Sequence, residues 1–208
     1  MLSVKCPRRP PRFRERGPSY RQSKKLMYPV NVLRNFARTQ ARTHYVMAAD
    51  IELYPSPAII PRLMRFVESQ RRVLNKSAYV LPVFEIDKSL TLPNSKTQLV
   101  KALRANKSAP FHITLCGYCH QIPRYEKWLN WTGTKGLLKP ILWTTREGMF
   151  EWEPVYIGTN ADPLFHEELT WEGTRNKMTQ VRANSVMIVA RGLRTSFFAG
   201  LRNVPAGI

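Results

Sequence analysis

Acidic residues are scarce in this chain of 208 residues. Fourteen Asp and Glu stand against 33 Lys and Arg, a formal net charge of +19. Long apolar runs are missing as well: no window of about 18 apolar residues occurs, so the sequence offers no membrane-spanning helix. The N-terminus is basic but has no apolar core segment, which leaves no visible secretory signal. Cysteine is limited to three positions, with Cys6 isolated in the basic tail, and no internal repeat occurs.

A charge of +19 on a compact chain points first to nucleic acid or an anionic surface. Its distribution weakens that reading. Residues 1–25 hold nine Lys/Arg and one acid, and residues 181–208 hold four Arg and no acid, leaving +7 for the residues between. The excess sits in two atypical ends, and no nucleic-acid partner is expected. Apolar residues make up 43% and aromatics 11%, enough for a globular core. Three Asn-x-Ser/Thr triplets, at Asn75, Asn106 and Asn130, hint weakly at a lumenal chain.

Three segments are expected: a basic Arg/Pro-rich tail without core elements over 1–25, a domain over 26–180, and a basic segment over 181–208. Val30, Leu33, Phe36, Ala37 and Ala41 recur at helical spacing, which predicts an amphipathic helix over about 30–42. "HYVMAADI" reads as a short buried strand. A helix follows, with Ser56 as N-cap and Pro57 at its first position. "AYVLPVFEI" (78–86) reads as a second strand, "NSKTQLVKALRAN" as a short helix, and "EWEPVYIGT" (151–159) as a third strand. Residues 110–150 carry few regular signals and read as a packed, loop-rich region. Alternating helices and strands give an α/β class with a mixed sheet.

The stretch "YVMAADIELYPSP" ends its apolar run with two acids, Asp50 and Glu52. On extended backbone they share a face while Ile51 turns the other way. Acids at the carboxyl end of an α/β strand stand where such sheets bind ligands. Their mutual repulsion is offset most simply by a divalent cation, and oxygen ligands favour Mg²⁺ or Mn²⁺. Two solvated acids at a loop start is the alternative that spacing leaves open.

Four segments in order, "YPVNVLRNFARTQARTHYVMAADIELYPSP", "AYVLPVFEI", "FHITLCGYCHQIP" and "WEPVYIGTNADPLFHEELTWEGTRNKMTQ", resemble glycosyltransferase family 49. This is the family of β-1,4-glucuronyltransferase 1 and of the glucuronyl domain of the LARGE enzymes. The resemblance covers about residues 18–180. It implies a GT-A fold and metal-dependent, inverting transfer of glucuronic acid from UDP-glucuronic acid to a xylose-ended glycan, as on O-mannosyl chains of dystroglycan, in the Golgi lumen. Asp50 and Glu52 fall on the family's Asp-x-Asp motif, which binds Mn²⁺ and the UDP diphosphate. Arg34 and Asn35 would help shape the nucleotide-sugar pocket, with an exposed helix charge as the alternative for Arg34. An inverting transfer needs a base. Of Glu167, Glu168 and Glu172, the expectation falls on Glu172, because Trp171 beside it could stack on a sugar face.

"CGYCH", Cys116 to His120, also matches a haem-attachment pattern, and with His112 it has the residue types of a zinc site. Nothing else supplies a haem frame, and the second Cys pair of a zinc ribbon is missing. By the resemblance, a Cys116–Cys119 disulfide or two packed thiols suffices here. The sequence also departs from the family. The strand–helix unit that binds uridine in a GT-A fold is not seen before Tyr28, and no His follows His166 to act as a third metal ligand. These departures lead to the expectation of an incomplete enzyme with little activity. The competing reading is an inactive transferase remnant that binds a partner or an acidic glycan.

Overall fold

The computed structural model describes residues 18, 20–50, 53–69, 77–131, 139–144, 151–169, 177, 186–191 and 197–202, with 139–144, 186–191 and 197–202 as backbone alone. In chain order the elements are α1 (Tyr20–Ser23), α2 (Val30–Gln40), β1 (Tyr45–Val46), β2 (Tyr54–Pro55), α3 (Ile59–Ser69), β3 (Ser77–Val80), β4 (Val83–Asp87), α4 (Lys96–Arg104), β5 (Ser108–Pro110), α5 (Tyr125–Asn130), β6 (Lys139–Thr144), β7 (Tyr156–Thr159), β8 (Val186–Arg191) and β9 (Phe197–Arg202). One sheet has the order β1-β7-β3-β8-β6 and the other β2-β9-β4-β5. β3 runs parallel to β8 and β4 runs parallel to β9, while the remaining pairs are antiparallel. The class is mixed α/β, as the alternation of elements implied.

The expected strand over 78–86 is two strands in different sheets. Pro82 has no N–H to donate to a ladder, and the N–H of Leu81 before it turns to Val155 O instead. β3 is buried on both faces. Tyr79 joins Leu53, Ile59, Leu63 and Phe66 in one apolar cluster. Ala78 and Val80 join Phe84, Ile86, Leu99, Trp128 and Trp152 in the other. The two-residue repeat of extended chain thus places α3 on one side and α4 with α5 on the other.

Three other boundaries differ from expectation. β1 is only two residues long, and Asp50 lies beyond it. α3 starts at Ile59 because Ala58 is left-handed (φ 58°) and Ala58 O receives the N–H of Arg62. Pro61, not Pro57, then occupies the first turn, where a missing N–H costs nothing. Residues 152–155 belong to neither sheet, so the third expected strand is β7 alone. The loop-rich region contains α5 and β6 and begins where β5 ends. α4 forms as expected, with Ser95 capping it by accepting from the Gln98 N–H.

The largest correction concerns α2. Its helical spacing holds, but the face buried in protein is polar: Asn31, Asn35 and Arg38 are at most 5% exposed, whereas Leu33 is 45% and Phe36 65% exposed. The buried face fastens the chain after β7. Asn31 Nδ2 donates to His166 O at 2.8 Å. Asn35 Nδ2 donates to Phe165 O at 2.8 Å, and the Phe165 N–H returns to Asn35 Oδ1 at 2.9 Å. The Arg38 guanidinium donates to the carbonyls of Pro163, Thr159 and Asp162. These are neighbours at i, i+4 and i+7, the same stripe geometry that apolar residues usually occupy.

Removing Arg38 leaves three carbonyls short of a donor. Arg38→Ala is expected to cost about 3 kcal/mol of stability. Phe36→Ser, on the open face, should change it by less than about 0.5 kcal/mol. Urea denaturation of the two variants checks both values.

Candidate active site

The opposite face of α2 is one wall of a cavity of about 1060 Å³, lined by Leu33, Arg34 and Ala37 from the helix, by residues 45–50, and by Phe111, His112, His120, Glu153 and Lys177. The apolar spacing that predicted a core face therefore describes a cavity wall. Arg34 comes into the site because it lies three residues after Asn31, whose Oδ1 receives its Nη1 at 3.1 Å. Arg34 Nη2 also reaches Asp50 Oδ1 at 3.1 Å. The other Asp50 oxygen is paired with the Lys177 ammonium. Burial disfavours the ionised Asp50, but the adjacent Lys177 and Arg34 cations outweigh it and hold the carboxyl below its ordinary range.

The same cavity is lined by Glu153, 8% exposed. Burial raises its carboxyl above the ordinary value, against the pull of Lys177 and Arg34. Two carboxylates of one cavity are thus driven in opposite directions, a pattern associated with division of acid–base roles. Beside Glu153 is His120, whose Nδ1 lies 2.8 Å from Glu153 O. A carbonyl only accepts, so Nδ1 carries the proton and Nε2 holds a lone pair. Burial pushes this imidazole down to about 4, so it is neutral at pH 7. The 3.9 Å approach of Nε2 to Glu153 Oε2 is then a contact and not an ion pair. His112, stacked on Phe111 at 3.7 Å, is left-handed at φ 56°, strain of the kind that collects at functional sites.

A short loop holds these groups in place. Cys116 and Cys119 form a disulfide, which realises one of the two readings given for the Cys pair. Among the described residues no group of three or more His, Cys, Asp or Glu is placed to hold a metal ion, so "CGYCH" with His112 is not a zinc site. The Glu153 N–H donates to Cys119 O at 2.6 Å, and Trp152 Nε1 donates to Gln121 O at 3.0 Å. Glu153 is therefore gripped on both sides by residues 119–121.

The sequence-predicted residues divide as follows. Asp50 and Arg34 meet in the cavity. Asn35 does not line it, because its amide is committed to Phe165 and to Glu167 Oε1. Glu52, Trp171 and Glu172 lie outside the described residues. Glu153, His120 and Lys177 were missed. Glu153 had one signal, an acid before Pro154 inside an apolar extended run. His120 was hidden in the Cys pattern, and Lys177 carried no local signal at all.

Of the two expected metal ligands, Asp50 is described, with its carboxylate paired to Arg34 and Lys177, and Glu52 lies outside the described residues. No helix among the described residues is long and apolar enough to cross a membrane.

Comparison with known proteins gives a consistent result. The sequence model of a family described as "Glycosyl-transferase for dystroglycan" matches residues 2–187. Mouse β-1,4-glucuronyltransferase 1 is 31% identical over 172 residues, covering 81% of this chain and 39% of that protein. The human protein of the same name is 30% identical over 169 residues, with the same two coverages of 81% and 39%. Mouse xylosyl- and glucuronyltransferase LARGE2 is 34% identical over 104 residues, 49% of this chain and 15% of that protein. The chain thus spans about two fifths of the length of the glucuronyltransferases it matches.

Folded Glu153 holds its proton more tightly than the unfolded chain does. Its contribution to stability is complete below the ordinary carboxyl value of 4.5 and is lost as pH rises through the higher folded value. Glu153→Gln should therefore stabilise the fold at pH 7–8 and not at pH 4. Denaturation midpoints at the two pH values measure this.

Proposed function

Because the chain belongs to the glycosyltransferase family described as "Glycosyl-transferase for dystroglycan", we propose that its cavity binds UDP-glucuronic acid and transfers glucuronic acid, with inversion, to a xylose-ended glycan. The observation that carries this reading is Asp50 held between Arg34 and Lys177 at the wall of the 1060 Å³ cavity. A diphosphate needs cations fixed by partners that do not follow it away. Arg34, anchored by Asn31, and Lys177 meet that need. The apolar wall of Leu33, Ala37 and Phe111 offers surface to the uncharged parts of the ligand.

Transfer is a displacement at the anomeric carbon. The acceptor oxygen attacks from the face opposite the diphosphate, and the diphosphate departs with the bonding electrons. Cations beside the departing oxygens stabilise the charge that accumulates there. Mn²⁺ belongs to the proposal through Asp50 and Glu52, the residues that match the family's acid pair. It would supply further positive charge at the diphosphate. A GT-A fold and a Golgi location are parts of the same reading.

The test is calorimetric titration of the chain with UDP-glucuronic acid, with and without Mn²⁺, on the native protein and Asp50→Ala. Donor binding that strengthens with the ion and weakens at least tenfold in Asp50→Ala supports the proposal. A folded protein that takes up no donor refutes it. Uptake of an acidic glycan without donor would favour the binding-protein reading.

A further inference from the structure

Resting on the transferase reading above, we propose that Glu153 is the group that takes the proton of the acceptor hydroxyl, with His120 and the Cys116–Cys119 loop as its positioning residues. Asp50 and Glu153 are the carboxylates among the described residues that line the cavity. Asp50 is bound on both oxygens by Arg34 and Lys177. An oxygen so engaged is a poor proton acceptor, because two cations must be disturbed to protonate it. Glu153 is engaged differently. Among the described residues, its Oε1 accepts a long contact from the Lys177 N–H, at 3.4 Å. Its Oε2 faces His120 Nε2 at 3.9 Å.

The His120 tautomer is the decisive detail. Donation from Nε2 would stabilise the Glu153 anion and make it a weaker base. The bond from Nδ1 to the Glu153 carbonyl leaves Nε2 without a proton, so the carboxylate keeps the basicity that burial confers. The same bond fixes the Glu153 backbone from one side, while the donation of its N–H to Cys119 O fixes it from the other. Closure of the Cys116–Cys119 ring limits the freedom of that carbonyl.

In the step itself, the hydroxyl proton passes to Glu153. The hydroxyl oxygen pair forms the new bond to the anomeric carbon of the glucuronyl group. The bond from that carbon to the diphosphate oxygen breaks, and its electrons leave with UDP beside Arg34 and Lys177. Glu153 ends as a neutral carboxylic acid, the form that its buried setting favours. Among the described residues, the charged and titratable groups that face it are Lys177, Arg34, Asp50 and His120, with His112 against His120.

The experiment measures transfer from UDP-glucuronic acid to a β-xyloside, together with donor affinity, for the native chain, Glu153→Gln and Glu153→Ala. The expected result is a loss in kcat of about 100-fold or more in Glu153→Gln, with donor Kd within about threefold. Formate should restore part of the rate of Glu153→Ala, which a structural role would not allow. The native pH–rate profile should fall on the acid side at a midpoint above the ordinary glutamate value of 4.5. This last reading needs no variant, and a profile flat down to that value overturns the assignment. So does a Glu153→Gln protein that keeps a third of its rate, or a loss confined to Glu172→Gln. A native chain that binds donor without transferring it also overturns the assignment, whereas one that binds no donor overturns the transferase reading beneath it.

Discussion

The hydrogen bonds between the buried face of α2 and the backbone carbonyls after β7 hold the rest of the site in register. Asn31, Asn35 and Arg38 close the chain between 159 and 169 against the helix. Asp162 tightens the turn within that chain by accepting from the Thr159 N–H at 2.6 Å. Gly158 is required there, because a Cβ at that position would collide with the Asp162 carboxylate. Backbone carbonyls sit at fixed distances from one another, so a helix bonded to several of them can neither slide nor rotate. That rigidity delivers Arg34 to Asp50 and turns Leu33 and Ala37 into a cavity wall.

A helix docked by polar groups has a further consequence. Apolar contacts tolerate small shifts, whereas hydrogen bonds to fixed carbonyls fail within a few tenths of an ångström. The geometry that results is better suited to orienting a guanidinium than a greasy seam would be. The cost is that every donor must find its acceptor.

The electrostatics of the cavity follow from burial acting on unequal neighbours. Asp50, between two cations, is held ionised. Glu153, more deeply covered and less directly paired, is held toward its neutral form. His120 is kept uncharged by the same burial. One acid is thereby matched to holding cations in place and the other to receiving a proton. This division suits a reaction that releases both negative charge and a proton.

Much of this was legible in the sequence, though unevenly. The helix expected over about 30–42, the short helix at α4, the α/β class and the family were all readable from local pattern. Each depends on neighbours close in the chain or on residues that sit together in a motif. The face that α2 buries was not readable, because periodicity reports a stripe without saying whether protein or a cavity lies against it. The splitting of 78–86 into two sheets turned on what Leu81 could bond to once Pro82 broke the ladder. The pairing of Lys177 with Asp50, the Glu153 environment and the His120 tautomer join residues far apart in sequence. Only the tertiary structure could decide them, because burial and the identity of a buried group's partners are properties of the folded surroundings and not of the residue itself.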